Sequence, residues 1–210
     1  MMVAKGRNII LAILVITGWF ALITQFYLII NNRIASIGET IARYFGFFTI
    51  LTNIIVAVCC IVLLFKPASG PGNFFSKANT QTAITVYITV VGFVYNIILR
   101  FLWKPEGLQM IVDELLHTVI PLLFIVQWYV YAPKQGLKWK NIFPWLLYPL
   151  FYLIYTLLRG SFSGFYPYPF INVNELGYNK VWVNCIGLLL FFLLLSLLFV
   201  AIAKLLVRRK

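Results

Sequence analysis

The sequence predicts an all-α polytopic membrane protein: one bundle of six transmembrane helices, a single domain over residues 1–210, with both termini cytoplasmic. Three observations predict it. Of 210 residues 62% are hydrophobic and only 10% charged, and mean hydropathy is +0.94, more apolar surface than a soluble domain of this length can hide. Six apolar runs close to bilayer-crossing length fall at about 9–30, 42–65, 82–103, 109–131, 142–158 and 181–203. Each run is continuously apolar rather than alternating, the pattern of helices and not of barrel strands.

The first run follows Lys5 and Arg7, like the basic start of a signal peptide, but passes Tyr27 and Leu28 without a small-residue cleavage site. It reads as a retained helix. On the second, Gly46, Thr49, Asn53, Val56 and Cys60 recur at 3–4 spacing as a small, polar face, and residues 66–79 then carry turn chemistry. Thr85, Thr89, Gly92, Asn96 and Arg100 make a similar stripe on the third, with packing the expected role of the first three. Residues 104–108 are a tight connection, so helices three and four must be antiparallel neighbours. The fourth run places Asp113, His117 and Pro121 on one face. Pro121 cannot donate to the carbonyl of His117, which predicts a kink or loosening there and a free acceptor.

Residues 132–141, with three lysines and Pro133, read as a surface anchor. The fifth run carries Tyr148, Tyr152, Tyr155 and Arg159 in a stripe. The connection at 159–180 is the longest, is rich in aromatics and is stiffened by Pro167 and Pro169. It reads either as an interfacial aromatic belt or as a lid over a site open to the outer leaflet. The three cysteines, Cys59, Cys60 and Cys185, have neither disulfide nor metal-ligand spacing and read as packing residues.

Charge placement sets the orientation. With the N-terminus inside, the interior holds Lys5, Arg7, Lys66, Lys77, Lys134, Lys138, Lys140, Lys204, Arg208, Arg209 and Lys210. The exterior holds Arg33, Arg43, Arg100, Lys104, Arg159 and Lys180, with all five acids: Glu39, Glu106, Asp113, Glu114 and Glu175. This is the positive-inside pattern. It assigns the formal charge of +12 to anionic lipid and excludes nucleic acid as the partner.

The single histidine, His117, lies within a bilayer-spanning run, where an ionisable group is costly and marks a functional site. Counting inward from the exterior ends at about 1.5 Å per residue, Thr49, Asn96 and His117 lie about 12–13 Å deep on three different helices. A hydroxyl, a neutral base and an orienting acceptor are what nucleophilic catalysis needs. Thr49, His117 and Asp113 are candidates for the three, with Glu114 able to replace Asp113 as the group holding the ring.

At these residues the sequence resembles the androgen-induced-gene-1-like membrane threonine hydrolases, most nearly their short bacterial "Pr-six-Pr" branch. The matching pieces are Arg43-Tyr44-Phe45 running into Phe48-Thr49-Ile50-Leu51-Thr52-Asn53, then Leu116-His117-Thr118-Val119-Ile120-Pro121. The third runs from Tyr148-Pro149 through Arg159-Gly160 to Tyr166-Pro167-Tyr168-Pro169-Phe170. The resemblance implies an intramembrane hydrolase of lipid esters, such as fatty acid esters of hydroxy fatty acids, with Thr49 as nucleophile and His117 as its base. For a bacterial member it implies the cell's inner membrane. Thr52, one turn away, is the competing hydroxyl.

On this reading Asn53 or Asn96 would donate to the oxyanion and Asp113 would orient His117. Arg43, Arg100 or Arg159 would hold a substrate carboxylate, with Tyr166 and Tyr168 also against the substrate. The partner is a membrane lipid or fatty ester, and no metal or organic cofactor is implied. Two other functions remain: a non-enzymatic lipid-binding or transport protein, and an acyltransferase using the same pair with an alcohol acceptor.

Overall fold

The computed structural model describes residues 2–102 and 104–208; Arg209 and Lys210, counted above as interior charges, and Trp103, the expected end of the third helix, lie outside them. Its helices are α1 (Met2–Asn31), α2 (Ile37–Tyr44), α3 (Phe48–Phe65), α4 (Gly70–Phe75), α5 (Ala78–Ile97), α6 (Gly107–Glu114), α7 (Ile120–Tyr131), α8 (Ile142–Trp145), α9 (Leu147–Ser163) and α10 (Val173–Arg208). Among the described residues there are no strands, and six helical segments are long and apolar enough to cross a membrane: Ala4–Asn31, Phe48–Phe65, Ala78–Phe101, Gly107–Tyr131, Trp139–Ser163 and Val173–Arg208. The chain is a six-helix bundle of the integral, multi-pass membrane class.

Helices α1, α3, α5 and α7 pack together around Leu14, Val56, Ile88, Ile120 and Phe124, all withdrawn from the surface. Outward faces expose Ile16, Ile23, Leu190 and Leu194, which is stable in lipid and not in water. Small residues set the closest approaches, as expected where helices associate by packing alone. A β-carbon at Gly92 would lie 3.2 Å from both the carbonyl oxygen of His117 and Cβ of Pro121, so the glycine admits α5 against the fourth span. Thr85 and Thr89 are buried and return their hydroxyls to the carbonyls of Gln81 and Thr85, at 2.7 and 2.6 Å. Their expected packing role holds. All three cysteines are buried free thiols.

Several expected helices differ in outline. The run at 42–65 is not one helix. It breaks at 45–47, where Gly46 N–H bonds the carbonyl of Arg43 at 2.9 Å and the Tyr152 hydroxyl donates to the carbonyl of Gly46 at 2.9 Å. Thr49 therefore occupies the first turn of α3 instead of lying nine residues down a continuous helix. The connection expected at 159–180 shrinks to 164–172, because α9 runs on to Ser163 and α10 begins at Val173. Gly164, at φ +69°, ends α9 in the left-handed conformation, and α10 is interrupted at Gly177, at φ +71°.

The fourth span loosens where proline predicts. Leu115–Val119 form a π-helical turn ahead of Pro121, with Ile120 N–H bonding the carbonyl of Leu115. Such turns release main-chain acceptors that a regular helix would occupy, and they recur at functional sites.

Candidate active site

The π turn is stitched to its neighbours through its carbonyls. Asn53 donates to the carbonyl of Leu116 at 3.2 Å and to that of Thr49 at 2.9 Å. Asn96 donates to the carbonyl of His117 at 3.1 Å and to that of Gly92 at 2.9 Å. An amide nitrogen carries two hydrogens, and here both are committed to main-chain oxygens. The expected oxyanion role of Asn53 and Asn96 is therefore corrected: they tie α3 and α5 to the loosened turn.

His117 is held by the same device. Its Nδ1 lies 2.9 Å from the main-chain carbonyl oxygen of Asp113. A carbonyl only accepts, so in the neutral ring Nδ1 carries the proton and Nε2 keeps its lone pair. Nε2 makes no hydrogen bond to any described residue. The Tyr95 ring lies flat against the imidazole, centroids 3.9 Å apart. The Asp113 carboxyl is directed elsewhere, accepting from Gln109 at 3.0 Å and from the Tyr95 hydroxyl at 3.5 Å, while Gln109 also reaches Gln25 on α1 at 2.8 Å. Asp113 thus orients the imidazole through its backbone and not, as expected, through its side chain. The Glu114 carboxylate does not hold the ring either, being paired with Arg100.

A cavity of about 240 Å³ opens beside this turn. Its walls come from α3, α5, the π turn, α9, α10 and the connection at 168–171, and they are mainly aliphatic and aromatic. Thr49, His117, Tyr152 and Tyr168 bring hydroxyl and imidazole groups to it. An apolar cavity with a few convergent polar groups is the usual form of a ligand or active site.

Thr49 lies in the first turn of α3, where main-chain N–H groups have no partner in the helix. Phe47, the N-cap, supplies no side-chain cap. Two tyrosines do so instead: the Tyr152 hydroxyl accepts from Phe48 N–H and the Tyr168 hydroxyl from Thr49 N–H, both at 3.2 Å. Tyr168 also lies 3.3 Å from the Thr49 hydroxyl. Burial in the connection pushes the Tyr168 phenol up from its ordinary value, so it stays protonated and able to donate. Thr49 and His117 line the same cavity without a direct hydrogen bond between them. Thr52, the rival hydroxyl, is fully buried against the Tyr148 hydroxyl at 3.2 Å and lies outside the cavity lining.

None of the three candidate arginines lines the cavity. Arg43 and Arg159 share Glu39, at 2.9 and 2.8 Å, and both lie over the Phe165 ring. This clasp ties α2 to α9. Arg100 pairs with Glu114 and Thr118 and lies over the Tyr95 ring, 5.4 Å from its centroid. The three cations expected to hold a substrate carboxylate are each paired with an acid of this chain. Tyr166 packs against Gly160, whose missing β-carbon leaves room for the ring, and it too lies outside the cavity lining. Of the two candidate tyrosines only Tyr168 reaches the cavity.

Tyr95 escaped the sequence analysis, although it sits three residues after Gly92, on the flank of the stripe containing Asn96. Tyr152 was noted only as part of a stripe. Comparison with protein-family models, with curated proteins and with solved structures finds no match to this chain.

Proposed function

We propose that this protein is an intramembrane hydrolase of lipid esters, with Thr49 as nucleophile and His117 as general base. The observation that carries the reading is the pair itself: a threonine hydroxyl and an imidazole with an unpaired Nε2, lining one apolar cavity at a loosened helical turn. The resemblance to membrane threonine hydrolases assigns the same two residues. Positive-inside charge placement gives cytoplasmic termini, which opens the cavity toward the outer leaflet.

The chemistry divides into two half-reactions. Thr49 Oγ attacks the ester carbonyl carbon while its proton passes to His117 Nε2, directly or through one water. Negative charge develops on the carbonyl oxygen beside the N-terminus of α3, where the helix dipole is positive. The Tyr168 hydroxyl, 3.3 Å from Thr49 Oγ, supplies a donor to that oxygen in place of the two asparagines. The C–O bond then breaks, the alcohol leaves with the proton from His117, and the acyl group stays on Thr49. Water, deprotonated by His117, attacks the acyl-threonine carbonyl; the acyl C–O bond to Thr49 breaks, Thr49 Oγ takes the proton back from His117, and the acid is released. Transfer to an alcohol in place of water would give an acyltransferase from the same intermediate.

A second reading draws on the absence of a direct Thr49–His117 hydrogen bond: a lipid-binding or transport protein in which these groups only tie helices together. Trapping distinguishes them. Full-length protein quenched during turnover of a fatty acyl ester should carry an acyl mass on the peptide containing Thr49. Ester cleavage that leaves Thr49 unmodified and survives its replacement would overturn the proposed mechanism, and no cleavage at all would favour the binding protein.

A further inference from the structure

A second apolar hollow, about 430 Å³, lies between α5 and α10. It shares Val94, Phe170 and Leu188 with the cavity beside His117, so one layer of side chains separates the two spaces. On its outer side Phe93 and Ile97 expose apolar surface in the membrane-crossing part of the bundle. Gly187 leaves a gap there: a β-carbon at that position would meet nothing within 4 Å.

The partition is connected to the nucleophile. The Phe170 ring stacks on Tyr168 with centroids 5.2 Å apart and planes 6° apart, and Tyr168 is the residue bonded to Thr49. The Phe170 carbonyl accepts from the Asn184 amide at 2.8 Å, which latches the connection to α10. Asn184 is the polar side chain in the hollow; the remaining walls are hydrocarbon, aromatic or backbone. Such a space excludes a headgroup and favours an alkyl chain, and alkyl chains are the solvent on its open side.

We infer that the hollow between α5 and α10 seats a hydrocarbon arm of the ester, admitted sideways from the bilayer past Gly187, with Phe170 as the partition between that arm and the catalytic cavity. The identity of the parent molecule rests on the lipid-ester reading; occupation by an alkyl chain does not. A chain that displaces Phe170 also moves the ring stacked on Tyr168, so seating of the arm and alignment of the hydroxyl beside Thr49 become one event.

The test uses full-length Thr49→Ala protein in nanodiscs, so that turnover plays no part. Methyl palmitate bearing a diazirine in its chain is photolysed, and the labelled residues are located by mass spectrometry. Label should collect on Phe93, Ile97 and Phe191, and excess unlabelled methyl palmitate should compete it away. Adding Gly187→Phe should cut that label about tenfold, the loss expected when roughly two methylenes are excluded from an apolar site. Phe93→Ala, which enlarges the hollow, should keep or raise it.

Label spread equally over Ile16 and Ile23 of α1 would mean bulk lipid contact and overturn the inference, as would a folded Gly187→Phe protein that labels normally. Failure of the hydrolase reading looks different. Protein with Thr49 intact would then leave the ester whole while the hollow still labels.

Discussion

The imidazole of His117 and the phenol ring of Tyr95 lie face to face, with centroids 3.9 Å and planes 12° apart. Arg100 covers the Tyr95 ring, so a cation, a phenol and the proposed base form a succession from the turn that follows α5 into the bundle. Aromatic contacts of this kind contribute about 0.5–1.5 kcal/mol beyond burial. Replacing Tyr95 by Leu should therefore lower kcat by about tenfold while leaving KM nearly unchanged. Tyr95→Phe keeps the ring and should retain most activity, which steady-state kinetics on a fatty ester would establish.

Thr49→Ala and His117→Ala should each lose at least about a hundredfold in kcat, and the double variant should be little worse, because the two act as a unit. Thr52→Ala should keep most activity, since its hydroxyl is turned to Tyr148. Turnover that survives both single replacements would rule the mechanism out.

Tyr168→Phe removes the hydroxyl beside Thr49 without removing the ring. Loss of a donor to the developing oxyanion typically costs about a hundredfold or more in kcat. Tyr148→Phe is the matched control: it removes a buried hydroxyl from Thr52 and should alter thermal stability more than turnover.

The Glu39 clasp makes a prediction in pH. The Arg43 hydrogen bond, foremost, and then Arg159 hold the Glu39 carboxyl below its ordinary value of 4.5, against the opposing effect of burial. A carboxylate with a lowered folded-state pKa stabilises the fold fully above its unfolded value, and this is lost as pH falls through the lowered one. Wild type should therefore melt above Glu39→Gln in detergent at neutral pH, and the gap should narrow as pH falls below the ordinary value of 4.5 and close once the lowered one is passed. A gap that persists in acid would show that the clasp is not electrostatic.

Topology is tested by single cysteines. Ile34→Cys and Ser163→Cys should react with an impermeant thiol reagent in intact cells, and Ala68→Cys should not. The native cysteines are buried and should contribute little background. The reverse pattern would turn the cavity toward the cytoplasmic leaflet.

The six spans were legible because apolar length is a one-dimensional property. The break at Gly46 was not, since Phe45, Phe47 and Phe48 keep the run apolar while the turn is made by backbone geometry and by a hydroxyl from a residue 106 positions away. Arg159 to Ser163 read as loop because Arg159, Gly160 and two serines end the apolar run, yet the helix continues until Gly164 supplies the left-handed turn. Thr49 and His117 do line one cavity, but the depth count that paired them ran along a helix that is broken at Gly46. The work of Asn53 and Asn96 was not legible: spacing gives depth, but not that a π turn frees carbonyls that claim both amides first. Asp113 was the right residue with the wrong atom, because sequence names side chains and the contact is made by the main chain.

That last contact bears on how the site can change over time. A main-chain carbonyl is present whatever side chain stands at 113, 116 or 117, so mutation at Asp113 or Leu116 does not delete the acceptors that seat the imidazole and anchor the turn. The heritable weak points are the two donors, Asn53 and Asn96. The aliphatic walls of the cavity can change while the histidine keeps its pose, which separates the shape of the cavity from the seating of the imidazole.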